Sequence, residues 1–216
     1  MSCRAKLLNG GGLMKTLTTL ITGMVLLATA VQAQQAKPTI VAEGGGPDDC
    51  ASARVLYWNE KTNSAAGQFA INYGRPVWKQ VYEDPSKFDS MTKGKVWRMG
   101  SNFWTNLETQ LPLAIGGKSV PAGYYYLGIH RSDDGSQWSL AFIDPADVRH
   151  GHLDAFEIQK AHVKFEAPLS LAKAEGKPEK LTISLSYPKD DIKNVTLRVT
   201  WGNLALTSPV KVTLSE

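Results

Sequence analysis

The segment QWSLAFI at residues 137–143, together with YYYLGIH at residues 124–130, decides the fold class of this chain. Both segments are rich in aromatic and β-branched residues, which favour extended backbone. The run Asp133-Asp134-Gly135 between them has the composition of a tight turn. The two segments therefore predict an antiparallel β-hairpin.

Alternation of apolar and polar residues extends this pattern towards both ends of the chain. Residues 68–73 (QFAINY), 181–187 (LTISLSY) and 195–201 (VTLRVTW) each place apolar residues on one face, as half-buried strands do. With the shorter pieces, about ten strands follow at short spacing, without the long helices that a parallel α/β fold needs between its strands. The sequence therefore predicts an all-β fold, an antiparallel β-sandwich with jelly-roll-like character.

Three stretches do not follow this alternation cleanly. Residues 77–93 are irregular, and residues 144–154 (DPADVRHGHLD) predict either a polar loop or a short helical excursion. Residues 156–165 alternate with a change of register in the middle, which predicts a further strand.

The N-terminus has the layout of a secretory signal peptide, predicted over residues 1–33. Met14 and Lys15 give a short positive start, residues 17–30 are mostly apolar, and residues 31–33 (VQA) form a small-x-small cleavage site. The layout also indicates that translation starts at Met14, with a longer positive region as the alternative. An uncleaved anchor helix is the alternative to cleavage.

Length and composition indicate one globular domain after the signal peptide. The chain has 216 residues, 43% hydrophobic and 20% charged, which fits such a domain. Residues 34–52 are polar and rich in glycine and proline and predict a flexible lead, and residues 53–216 predict a single β-sandwich domain. Cys50 is the one cysteine after the cleavage site, so we expect no internal disulfide. Cys50 is a free thiol or an intermolecular link, and we interpret it as incidental to function.

The charge balance argues against a nucleic-acid partner. The chain has 24 basic and 20 acidic residues, but residues 1–33 hold three of the basic ones and none of the acidic ones. Cleavage therefore leaves 21 basic and 20 acidic residues, a net charge of +1. We expect neither nucleic-acid binding nor, once the signal peptide is removed, an integral membrane span.

Five short segments form a recognisable series: INYGRP (71–76), GKVWRMGSN (94–102), LAIGGKSVPAGYY (113–125), WSLAFI (138–143) and LRVTWGN (197–203). As a series they resemble the domain of unknown function 2911 (DUF2911) family of exported bacterial proteins. The resemblance implies an exported β-rich domain with no established activity, so no catalytic residues carry over. The chain departs from the family pattern at residues 101–104 (SNFW), and the loop that contains His150 and His152 matches no family element.

Five residues are candidates for ligand binding: Arg75, Trp97, Arg98, Asn102 and Tyr125. Adjacent strand residues face opposite sides, so if Trp97 is in the core, Arg98 is exposed or lines a cavity. The guanidinium groups of Arg75 and Arg98 could bind a carboxylate or sulfate, or could instead tie neighbouring loops through their carbonyls. An exposed Tyr125 ring could stack on a sugar or peptide, although a core position is commoner. Asn102 lies in the segment that departs from the family pattern.

Three histidines are candidates for a metal site. If the backbone is extended, His150 and His152 face one side and could reach the same ion, with His130 as a third ligand. Zinc and copper accept such ligands, so a divalent transition metal is the cofactor that this cluster implies. A hydrated histidine pair in a loop is the simpler alternative. The sequence contains no nucleophile elbow, phosphate loop or dinucleotide fingerprint, and we assign no catalytic residue.

These observations predict an exported protein, periplasmic or secreted, that is more consistent with binding than with catalysis. The expected partner is a small molecule, a glycan or another envelope protein. A metal-dependent hydrolase built on the histidine cluster and a purely structural envelope protein are the two alternatives.

Overall fold

A computed structural model describes residues 40–214 of this chain. The compact unit of the fold begins at Gly45. The predicted signal peptide, residues 1–33, and the first part of the predicted lead lie outside the described residues. Within residues 40–214, no helix combines the length and the apolar character needed to cross a bilayer.

Twelve β-strands form most of the described chain, where the sequence predicts about ten. In chain order they are β1 (Cys50–Asn59), β2 (Ser64–Gly74), β3 (Lys95–Arg98), β4 (Asn106–Thr109), β5 (Leu113–Ile115), β6 (Lys118–Val120), β7 (Gly123–Arg131), β8 (Trp138–Ile143), β9 (Val163–Leu171), β10 (Thr182–Ser186), β11 (Asn194–Trp201) and β12 (Leu204–Val212). The helical elements are α1 (Pro85–Thr92), α2 (Pro145–His150) and the 3₁₀ helices Gln80–Glu83 and Ala155–Lys160. Strand β1 begins at Cys50, which is exposed, so this strand starts inside the predicted lead.

The strands form two antiparallel layers that are continuous through β9. Their order is β1-β2-β4-β7-β8-β9-β12-β11-β10, with β3 beside β7 and the β5–β6 hairpin beside β12. Strand β9 pairs with β8 through Leu169 and Trp138, and with β12 through Leu171 and Leu206. The all-β antiparallel prediction is confirmed.

The hairpin that decides the fold is formed by β7 and β8. Leu127 pairs with Phe142 and Ile129 pairs with Leu140, and all four side chains are fully buried. In the turn, the carboxylate of Asp134 accepts hydrogen bonds from the Ser132 hydroxyl and from Ser136. These bonds, first that of Ser132, lower the pKa of Asp134 to about 2. The ionised aspartate therefore stabilises the turn that sets the register of the hairpin.

The core lies between the two layers and follows the alternation seen in the sequence. Strand β11 contributes the buried residues Val195, Leu197 and Val199 from one layer, and β2 contributes Phe69 and Ile71 from the other. Burying a side chain of this size stabilises the fold by about 1.5–3 kcal/mol. Hydrophobic contact across the layers is therefore the main source of stability.

Two of the stretches that alternate poorly contain helices. In the irregular stretch 77–93, Asp84 caps α1 by accepting hydrogen bonds from two backbone amides, and Pro85 occupies the first helical turn. The helical alternative for residues 144–154 is confirmed by α2, which Asp144 caps by accepting a hydrogen bond from the Ala146 amide.

The strand predicted to begin at residue 156 is wrong at its start. Residues Ala155–Lys160 form a 3₁₀ helix, and β9 begins only at Val163. The reason is a capping box: the Asp154 carboxylate accepts from the Phe156 amide, and the Glu157 carboxylate accepts from the Asp154 amide.

Candidate functional site

A cavity of about 310 Å³ lies beside the end of β3, where the two layers meet the α1 segment. Its walls are mostly apolar and are formed by Pro76, Tyr82, Phe88, Trp97, Leu181 and Trp201. Val77 and Met91 also line it, and these residues are 43% and 38% exposed. The cavity is therefore open to solvent at an apolar rim.

Large aromatic rings hold the cavity wall together. We use the name aromatic cluster for six residues whose rings contact one another: Trp78, Tyr82, Phe88, Trp97, Trp138 and Trp201. The ring centroids of Trp78 and Trp201 are 5.1 Å apart in an edge-to-face arrangement, and those of Tyr82 and Trp201 are also 5.1 Å apart. Such pairs contribute about 0.5–1.5 kcal/mol each beyond their burial. The Trp201 indole also donates to the Pro76 carbonyl at 2.9 Å.

Helix α1, which closes one side of the cavity, is fixed to the sheet by Arg131 of β7. The Arg131 guanidinium donates to the Asp89 carboxylate at 2.7 Å and to the Thr92 hydroxyl at 3.0 Å. Its central carbon lies 5.0 Å from the Trp138 ring centroid and 5.8 Å from that of Phe88. These contacts hold the cavity wall in place through the protein's own side chains.

Glycines allow the chain to approach itself closely behind this wall. A Cβ atom on Gly74 would overlap the carbonyl oxygen of Ser101, and a Cβ on Gly202 would overlap the Trp78 indole. Gly202 also has a positive φ of 55°. The glycines of GRP and WGN are thus required by packing around the cavity.

Four of the five segments that carry the family resemblance meet at this place. They contribute Pro76, Trp97 and Trp201 to the cavity wall and Trp138 to the aromatic cluster. The fifth segment, residues 113–125, spans β5, β6 and the start of β7 and is absent from the lining. The series of motifs is therefore explained largely by one local assembly.

The cavity has few polar groups, and its charged lining residues are all basic. Lys79 and Arg98 line it, and none of the lining residues in the described chain carries a carboxylate. The Trp97 indole N–H is buried and has no acceptor among residues 40–214, as is also true of Trp78. A buried donor left unpaired costs about 1–3 kcal/mol.

Two of the predicted binding residues, Trp97 and Arg98, line the cavity. Trp97 packs against the core, whereas the guanidinium carbon of Arg98 lies 5.6 Å from the ring centroid of Phe156 in the 3₁₀ helix. Both residues therefore reach the cavity, Trp97 from the core and Arg98 from the side of the 3₁₀ helix.

Arg75 and Asn102 are placed outside the lining. Arg75 Nη1 lies 3.9 Å from the Asp49 carboxylate, and its Nε donates to the Leu181 carbonyl at 3.5 Å. Asn102, which is exposed, donates to the Asp48 carboxylate at 2.6 Å. Both side chains thus connect the segment before β1 to neighbouring loops, and Arg75 and Arg98 do not share the cavity.

Tyr125 is placed in a packing role on β7. Its hydroxyl donates to the Pro121 carbonyl at 3.0 Å. Its half-buried ring meets Phe142 and Phe165 edge to face, with centroid distances of 5.8 and 6.1 Å. Tyr125 is also absent from the cavity lining.

The three candidate histidines do not form a metal-holding group. His130 Nδ1 lies 2.9 Å from a carboxylate oxygen of Glu166, which also accepts from Ser139. His150 ends α2 and His152 has a φ of 50°, so the extended backbone assumed for this pair is wrong. No group of three His, Cys, Asp or Glu side chains in the described chain is arranged to hold a metal ion.

Sequence reasoning misses several cavity residues. Tyr82, Phe88 and Met91 lie in the stretch whose pattern is irregular, and the alternation around Trp201 indicates only a strand face. The pair Asp84-Pro85 is a helix-start signal that could have identified α1. Nothing in the spacing shows that α1 would pack against Trp201, because that contact joins distant parts of the chain.

Comparison with known proteins gives a family but no activity. No curated protein and no solved structure gives a significant match. The family model described as protein of unknown function (DUF2911) matches residues 59–210, which is more than half of the chain. The chain therefore belongs to the DUF2911 family.

Proposed function

We propose that this protein is an exported binding module whose aromatic cavity holds one small, largely apolar molecule. The observation that carries the proposal is a cavity of about 310 Å³, lined by aromatic and aliphatic side chains, at the place where four motif segments meet. Small-molecule sites are mostly apolar, concave and formed before the ligand arrives. The fixed position of α1 supports such a preformed site.

The exposed rim gives a second physical reason for an occupant. Val77 and Met91 leave apolar surface in contact with water beside the cavity. Removing that surface from water on ligand binding is favourable by roughly 25 cal/mol per Å². A ligand body that fills the cavity and touches this rim therefore gains affinity from both.

A thermal-shift screen of small molecules against the purified protein tests this function. A ligand that binds only the native state raises Tm by mass action. Met91→Trp replaces a thioether side chain at the cavity rim with a bulky indole ring and is expected to abolish the increase in Tm. Val81→Trp is the matched control, because Val81 is 41% exposed on the same segment but does not line the cavity.

The outcomes separate cavity binding from binding elsewhere. Shifts that survive Val81→Trp and disappear in Met91→Trp support the proposal. Shifts that are equal in both variants would place the ligand outside the cavity and would reject this function.

The proposed export rests on residues 1–33 alone, which have the layout of a signal peptide. Expression of the full chain in a Gram-negative host, followed by fractionation and N-terminal sequencing, tests it. A periplasmic or secreted product that begins at Gln34 is expected. A product that stays in the cytoplasm with residues 14–33 intact would reject export.

A further inference from the structure

We infer that the molecule bound in the cavity is an amphipathic organic anion, with an apolar body among the rings and a carboxylate directed to Lys79 and Arg98. This inference rests on the proposed cavity function and adds the chemical class of the ligand. Its basis is the charge of the lining and the size of the space.

The charge of the lining is one-sided. Lys79 and Arg98 are its two basic residues, and the lining in the described chain contains no aspartate or glutamate. Neither Lys79 nor Arg98 forms an ion pair with any residue in 40–214. Two cations beside low-dielectric walls produce a positive potential that attracts an anion.

Arg98 is suited to such a contact. Its guanidinium rests on Phe156, whose ring is 77% exposed, and its N–H groups have no carboxylate partner in the described chain. A guanidinium offers paired donors that match the two oxygens of a carboxylate. An anion at the cavity would therefore supply the partner that the protein does not.

The size of the cavity limits the ligand. A space of about 310 Å³ has room for about ten groups of the volume of one water molecule, since a water occupies about 30 Å³. Suitable probes are 3-phenylpropionate, indole-3-acetate and octanoate. Each has a neutral amide of nearly the same shape that keeps the carbonyl acceptor.

Calorimetric titration of the purified protein with each acid and its amide, at neutral pH and low ionic strength, tests the inference. At least one acid is expected to bind about tenfold more tightly than its amide. High ionic strength should reduce this preference, because it screens the cations at the rim.

Variants identify the groups responsible. In the double variant Lys79→Gln and Arg98→Gln the preference is expected to fall below about threefold, while the amide keeps its affinity. Lys118→Gln, an exposed lysine on β6 outside the lining, is the matched control and should keep the preference. Because Lys79 is exposed, the single variant Lys79→Gln gives a partial loss even if changes at Arg98 impair folding.

The inference and the cavity function fail in different ways. Equal affinity for acid and amide, with both lost in Met91→Trp, would overturn the anion inference and leave cavity binding in place. Acid binding that is unaffected by Met91→Trp would overturn both. Absence of binding by all three acids, together with neutral hits in the thermal screen that depend on Met91, would overturn the anion inference alone.

Discussion

Helices α1 and α2 each begin with an aspartate cap followed by a proline, yet α1 lines the aromatic cavity and α2 does not. Phe88 of α1 packs against the rings of Trp78 and Trp138. Around α2 the partners are compact: Val148, together with Ala155 and Ile158 of the neighbouring 3₁₀ helix, packs on Trp104 and Ile143. The α1 side therefore packs against several rings from distant strands, and the α2 side against a smaller group of mostly aliphatic side chains around Trp104.

The same local signal thus produces two different surfaces, and the packing partner decides which. The α1 side uses residues from four distant segments, so its geometry depends on the whole fold. The α2 side combines a local cap with the buried side chain of Val148, and its histidines are exposed. The closely spaced histidine pair stays exposed, whereas tryptophans that are far apart in sequence meet beside the cavity.

The largest effect should come from removing the ring at the centre of the cavity wall. Trp201→Ala deletes a ring that is 9% exposed and its hydrogen bond to Pro76, so we expect a loss of about 3–5 kcal/mol in the free energy of unfolding. Phe156→Ala on the α2 side removes a ring that is 77% exposed and should cost less than about 1 kcal/mol. Urea unfolding of both variants measures the difference.

If Trp201→Ala does not fold, Trp201→Phe keeps a ring and loses only the N–H group and part of the area. It should still be less stable than Phe156→Ala. Equal stability of the Trp201 and Phe156 variants would show that the aromatic cluster does not support the fold.

The next largest loss of stability should come from a change in the backbone that lies against the aromatic cluster. Gly202→Ala introduces a Cβ atom that overlaps the Trp78 indole at a residue with positive φ, so we expect a loss of about 2–4 kcal/mol. Gly151→Ala, at the end of α2, has ordinary helical φ, and its Cβ atom would lie 3.2 Å from the Leu153 side chain and 3.3 Å from the Asp147 carbonyl oxygen. It should cost less than about 1 kcal/mol. A Gly202→Ala protein as stable as Gly151→Ala would contradict the close packing behind the cavity.

Much of the sheet could be predicted from sequence because its signal is local. The alternation of Val195, Leu197 and Val199 and the Asp133-Asp134-Gly135 turn specify burial and reversal without reference to distant residues. The 3₁₀ helix at residues 155–160 could not, because its capping box outweighs an apparent alternation.

The cavity could be predicted only in part. Trp97 and Arg98 could be identified because they are adjacent on one strand, and their spacing carries information. Tyr82 and Phe88 could not be connected to Trp201, because only tertiary packing brings them together. Residue type alone favours Arg75 and Asn102 as site residues, but their partners are the aspartates just before β1.

A smaller effect concerns acid pH and compares the anchors of the two helices. The pKa of Asp89 is lowered first by the hydrogen bond from Lys93 and then by that from Arg131. A carboxyl with a lowered pKa contributes stability above its unfolded value of 3.8, and this contribution is lost as pH falls towards the folded value. Asp89→Asn should therefore lower Tm at neutral pH and reduce the fall in Tm between neutral pH and pH of about 3.

Asp144→Asn provides the comparison on the α2 side. The pKa of Asp144 is lowered first by the hydrogen bond from the Ala146 amide and then by Lys164. Asparagine retains an oxygen that can accept from that amide, so the Tm change should be smaller than for Asp89→Asn. A larger change for Asp144→Asn would show that α1 is not held by Arg131 and Lys93 through Asp89.

The smallest effects should come from the histidines of the α2 side, where backbone conformation is the main determinant. His150→Gly weakens the last position of a helix and should lower the free energy of unfolding by about 0.5–1 kcal/mol. His152 has a φ of 50°, a conformation that glycine adopts with less strain than histidine. In His152→Gly this relief of strain offsets the greater conformational freedom of glycine in the unfolded chain. Its stability should therefore stay within about 0.5 kcal/mol of wild type or rise. Thermal unfolding of wild type and both variants with added zinc tests the opposite expectation. A zinc-induced increase in Tm that is lost in both variants would mean that these two side chains bind a metal ion.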